Sequence, residues 1–127
     1  MRKILILMGF IPFVVQAESP DELLAKTVAQ LNKHTPLKLD EETRLDGVSG
    51  KNNVLFYEYT LVNYAKVELD LVILESNISP VVTSGACAEA SMKPLFDSGV
   101  SVHYHYKGKE GESLMLVKVT AADCQNQ

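Results

Sequence analysis

Tryptophan is absent from this chain, and cysteine is sparse, with two in 127 residues. Two cysteines without a neighbouring Cys/His cluster do not supply the ligand set of a structural zinc site. They form no Cys-x-x-Cys pair, which excludes a dithiol redox motif of that kind. Basic charge is also short. Lys and Arg number 12 against 16 Asp and Glu, a net charge of −4, and beyond the first three residues they do not cluster. That argues against nucleic acid, whose binding needs a basic footprint, and equally against an anionic membrane surface. Catalytic signatures are missing. There is no His-Glu-x-x-His, P-loop or dinucleotide fingerprint, and Ser84, between Thr83 and Gly85, lacks the Gly-x-Ser-x-Gly elbow. The length leaves room for one domain with a modest core, which excludes multidomain enzymes, repeat arrays and transporters.

What is present begins with a leader. Arg2 and Lys3 precede an apolar run, and Val15 and Ala17 suit the −3 and −1 positions of a signal-peptidase site. The run is about 12 residues, short of the ~20 that span a bilayer, and Pro12 weakens a long helix further. The layout predicts a cleaved bacterial export signal over residues 1–17, with the protein released to the periplasm or the medium. Residues 18–127 are then one domain, and cleavage leaves 10 basic against 16 acidic residues, a net charge of −6. In an exported chain the even cysteine count predicts one disulfide, Cys87 to Cys124.

Ser19-Pro20-Asp21-Glu22 is a helix start, with Ser19 as cap and Glu22 completing a capping box. Leu24, Val28 and Leu31 follow at helical spacing, which predicts a helix over residues 20–33. Residues 43–48 read as a short strand and residues 54–61 as a clear one. In the latter, Leu55, Tyr57, Tyr59 and Leu61 share one face; Phe56, Glu58 and Thr60 share the other. Residues 65–86 fit a strand or a helix. The helical template of Val67, Leu71, Leu74, Ile78 and Val81 covers more of them, with Pro80 kinking that helix or starting a second one. A short helix over 90–97 and a second hairpin, residues 100–107 and 114–120, complete the chain. The order predicts an α+β fold. It has an N-terminal helix, a four-stranded antiparallel sheet of two hairpins, and a central broken helix packed on one face.

Three constellations carry candidate chemistry. His103 and His105 share a strand face and could hold a transition metal with a third ligand; the bland alternative is a solvated polar face. Tyr57, Tyr59, Tyr104 and Tyr106 would stack into a ladder if their strands are neighbours, more as the core side of the sheet than as a ligand platform. Thr43, Arg44 and Asp46 are candidates for binding a partner at a sheet edge, against a local salt bridge or edge protection.

Thr43-Arg44-x-Asp46, Tyr57-x-Tyr59-Thr60, Cys87 after a helix, Gly99 before a Tyr-x-Tyr strand, and Asp123-Cys124 recur together. In these the chain resembles small exported bacterial two-cysteine proteins of unknown function, over residues 20–124. The resemblance implies a two-cysteine exported α+β domain and carries no activity. The expected function is an exported interaction module for a protein or peptide partner, such as an accessory, inhibitor or immunity protein, with no cofactor. The alternatives are a small-ligand or metal-binding protein using the Tyr/His strand 100–107, and a small hydrolase with dispersed site residues.

Overall fold

The computed structural model describes residues 19–125, so the expected leader lies outside the described residues. Helix α1, Pro20–Asn32, starts where the capping signals put it, with the Glu22 amide donating to Ser19 Oγ at 3.2 Å. Its Leu24 is buried, and Leu23, Val28 and Leu31 pack against the core. At its far end Asn32 does a job no pattern announced. Its Nδ2 donates to Val48 O at 2.7 Å and its Oδ1 accepts from Val48 N at 2.9 Å. The amide thus pairs with strand backbone as a neighbouring strand would.

The strands are β1 (Leu37–Lys38), β2 (Thr43–Lys51), β3 (Val54–Leu61), β4 (Ser101–Lys107) and β5 (Ser113–Val119), in the spatial order β1-β2-β3-β4-β5. β2 and β3 form the expected hairpin. Asn52 and Asn53, at φ 52° and 62°, make the two-residue turn, the arrangement whose twist matches flanking strands. β4 and β5 form the second hairpin. The expectation of four antiparallel strands is corrected on two points. The sheet has five strands, because the two-residue β1, too short to show alternation, pairs with β2. It is also mixed, because β3 and β4 run parallel. Parallel neighbours need a crossover of a dozen residues or more, and the helical segment between them supplies it.

That crossover holds α2 (Leu71–Ala88) and α3 (Lys93–Asp97), with a 3-10 turn at Ala90–Met92. Asp70 caps α2 by accepting from the amides of Val72 and Ile73 at 3.1 and 3.2 Å. The expected break is also corrected: α2 runs through Pro80 as one helix. Pro80 sits on the exposed side, where solvent can take the carbonyl that the missing N–H frees.

Leu55, Tyr57, Tyr59 and Leu61 of β3 and Val102, Tyr104 and Tyr106 of β4 face the helices and are buried. Two irregularities keep the alternation in phase with this core. Asp46 lies at a register shift between Leu45 and Gly47, so Leu45 and Val48, three apart, both face inward. Leu114 lies at the shift opposite Tyr106 and Lys107, so Leu114 and Met115 are both buried while Ser113 and Leu116 are exposed. Such bulges re-aim side chains, and both of these place polar residues on the uncovered face.

Gly50 is fixed by close approach. A Cβ there would sit 2.7 Å from Leu24 Cγ. Gly50→Ala is therefore expected to push α1 off β2 and cost about 1–3 kcal/mol, as overpacking does. A urea-unfolding midpoint equal to that of the wild type would contradict this packing.

Candidate functional site

The two faces of the sheet carry different chemistry. On the covered face α1 packs on β2 and β3, while α2 packs on β5 and the C-terminal turn. A groove of about 440 Å³ opens between them. Its floor is Tyr57, Tyr59, Tyr104 and Tyr106, and its walls include Leu31 of α1, Val82 and Gly85 of α2, and Glu89. A second depression of about 300 Å³ shares Leu31, Tyr57 and Met92 and continues toward Leu95. The parallel register sets Tyr57 against Tyr104 and Tyr59 against Tyr106. Their rings stack at centroid distances of 5.0 and 4.8 Å, and Tyr57 stacks on Tyr59 at 6.0 Å. The rings form core, as the preferred reading has it, and the same residues floor a groove.

Each of these tyrosines is 6–8% exposed. No hydrogen bond joins their hydroxyls to another described residue, and the hydroxyls remain reachable from the groove. Burial pushes the Tyr57 and Tyr106 phenols up to about 12, with added repulsion from Glu89 and Asp40 respectively. Tyr59 and Tyr104 are raised further, again chiefly by burial. All four are neutral donors at ordinary pH. The sign of the pH dependence follows. The unfolded chain ionises its tyrosines near pH 10 while the folded chain holds the protons. This contribution to stability is therefore complete below about pH 10 and is lost as pH rises through 12. Urea midpoints measured at about pH 9 and about pH 11 are expected to fall between the two; equal midpoints would contradict the burial of these phenols.

Helix α2 is long and apolar enough, by length and composition, to cross a membrane. Here it lies along the sheet, with Leu71, Leu74, Ile78 and Val82 against the core. Its outer side leaves Val72 79% and Val81 70% exposed.

The opposite face of the sheet carries a polar chain across four strands. Ser113 Oγ of β5 is 2.8 Å from His105 Nε2 of β4, whose Nδ1 is 2.7 Å from Glu58 Oε2 of β3. Lys107 Nζ lies 4.0 Å from Glu58 and 3.6 Å from Asp46 of β2. Asp46 also accepts from Arg44 Nε and Thr60 Oγ1, both at 2.5 Å. Partial burial would raise the Asp46 pKa. The hydrogen bonds from Thr60 and Arg44, with the charges of Arg44 and Lys107, hold it below the usual carboxylate value instead.

The sequence-predicted residues fall into this frame as follows. Arg44 and Asp46 meet as a charged pair on the uncovered face. Thr43 does not join them; its amide donates to Asp40 Oδ1 at 2.8 Å beside the β1–β2 turn. His103 and His105 share the uncovered face. His103 meets the Phe56 ring edge-on at 5.2 Å, and partial burial, with Lys118 nearby, lowers its pKa. Both ring nitrogens of His105 are engaged, and the described residues contain no group of three or more His, Cys, Asp or Glu placed to hold a metal. Cys87 and Cys124 are bonded to each other, tying the end of α2 to the C-terminal turn. Glu58, Ser113 and Glu89 were not singled out from sequence. Glu58 could have been found only by knowing that β3 and β4 are parallel, which sets it opposite His105.

The fold defines a small α+β protein with a mixed five-stranded sheet and its helices on one side. No protein-family model matches the chain, and no curated protein matches it. Solved structures do. A pilotin of the type II secretion system of Vibrio vulnificus, EpsS, superposes with a TM-score of 0.71 at 15% identity, over 85% of this chain and 94% of that one. The type II secretion system pilotin AspS of Vibrio cholerae gives 0.66 at 15% identity, over 83% and 92%. A Pseudomonas aeruginosa protein assigned as secreted gives 0.65 at 18% identity, over 85% and 98%. At these identities the likeness is one of fold.

Proposed function

We propose that this protein is an exported accessory protein of the bacterial envelope, periplasmic or secreted, and that it holds a segment of a protein partner in the tyrosine-floored groove between α1 and α2. The observation that carries the reading is the groove itself, whose floor is four tyrosine rings with hydroxyls that open to it and bond to no other described residue. Neutral phenols donate to peptide carbonyls, and the apolar walls favour an amphipathic helix or an extended segment. Glu89 at the groove, with no Lys, Arg or His among the described lining residues, favours a basic side chain on that segment. The exposed apolar side of α2 adds surface next to the groove. The fold shared with two secretion-system pilotins supports an accessory role in an envelope assembly.

Gly85 offers a clean test, because a Cβ there meets nothing within 4 Å. A photo-crosslinking residue at Gly85 is expected to trap one discrete envelope protein, and Gly85→Leu to abolish its capture without lowering the thermal melt. A crosslinker at Lys118, on the uncovered face, is expected to trap nothing. If Lys118 traps the partner and Gly85 does not, the docking surface is the other face. Changing Thr43, Arg44 and Asp46 to Ala is expected to leave capture intact, and its loss would return the site to β2.

A further inference from the structure

Outside the groove, the molecule places an acid, an imidazole and a serine in line. Glu58, His105 and Ser113 come from three adjacent strands, β3, β4 and β5, on the uncovered face. Glu58 and His105 are Cα partners in the parallel ladder, so their 2.7 Å contact is set by register. Ser113 reaches the same face because the bulge at Leu114 reverses the phase of β5. An ionised carboxylate only accepts hydrogen bonds. Glu58 therefore fixes the proton of neutral His105 on Nδ1, leaving the Nε2 lone pair to accept from the Ser113 hydroxyl at 2.8 Å. That is the order of roles in which a base held by an acid activates a serine.

We propose that Ser113 is an activated nucleophile and that the Ser113–His105–Glu58 cluster is an acyl-accepting site for activated esters. In the step, Ser113 Oγ bonds to the ester carbonyl carbon and its proton passes to His105 Nε2. The carbon–oxygen bond to the leaving group then breaks, and the alkoxide or phenoxide leaves with that proton. Lys107, the Cα partner of Ser113, adds a positive charge on the same face. This proposal is independent of the groove.

The test is acetylation by p-nitrophenyl acetate at about pH 8, followed by peptide mass mapping. Ser76 and Ser91, both exposed, are the internal standards. Ser113 is expected to label about 100-fold faster than either, the scale of general-base assistance. His105→Ala and His105→Phe are both expected to bring it down to their rate, and Glu58→Gln to slow it about tenfold. Reading both His105 variants separates loss of the base from loss of the ring's packing, and a thermal melt checks each fold. Ser113 labelling no faster than Ser76 and Ser91, or labelling unchanged in both His105 variants, would overturn the proposal.

Discussion

Replacing Cys87 and Cys124 together by alanine is expected to lower the unfolding free energy by about 4 kcal/mol, because the bond closes a loop of 37 positions. That is a large share of what a chain of this size has to spare. The effect should not be uniform. The bond joins the last turn of α2 to the 3-10 turn at Ala121–Cys124. Besides the bond, this end of the helix is held mainly by Ala86, the one buried residue of α2. Hydrogen exchange in the double variant should therefore quicken first in residues 80–88, where the groove wall lies, before it quickens in β3 or β4. Partner capture should fall with it even under conditions where the sheet is still folded. A loss below about 1 kcal/mol, against the 2–5 usual for a native disulfide, would mean the helix is held chiefly by side-chain packing.

Tyr59→Ala is the second large effect expected, a loss of about 3–5 kcal/mol, the range for truncating a buried aromatic. Tyr59 stacks on Tyr57, Tyr104 and Tyr106 alike, at 6.0, 6.3 and 4.8 Å. Removing it leaves three rings without their common neighbour and opens the floor of the groove. Tyr59→Phe separates the two roles of the residue. It keeps the stack and removes a hydroxyl that bonds to no described residue, so stability should change by less than about 1 kcal/mol. If the groove holds a peptide through its phenols, partner affinity should fall severalfold in Tyr59→Phe with the melt unchanged. Equal affinity would confine Tyr59 to the core.

How much of this could be read in the sequence depends on which interactions are local. The cap at Ser19, the inward face of β3 and the inward face of β4 are set by residues within a few positions of each other, and the structure has them as expected. Pairing direction is not local. The alternation of Tyr57 and Tyr59 is the same whether β4 runs parallel or antiparallel beside it. The four longer strands were therefore legible, and the two-residue β1 and the topology were not. Pro80 misled for a related reason, since its cost depends on whether it faces solvent or core. The candidate sites divide the same way. Arg44 and Asp46, two residues apart, meet as a pair. Glu58 and His105, 47 residues apart, meet only through the parallel register, and Ser113 joins them only through a bulge.

The amide clamp of Asn32 has a consequence for assembly. It occupies the backbone of Val48 on the outer side of β2, just past the point where the two-residue β1 ends. The β2 side of the sheet is therefore closed by a strand stub and a helix end, while β5 forms the opposite edge. Filaments grow when one surface of a molecule accepts a different surface of the next, without end. Here an added strand finds one receptive edge, so pairing between copies stops at two, and the fold is guarded against running into fibres.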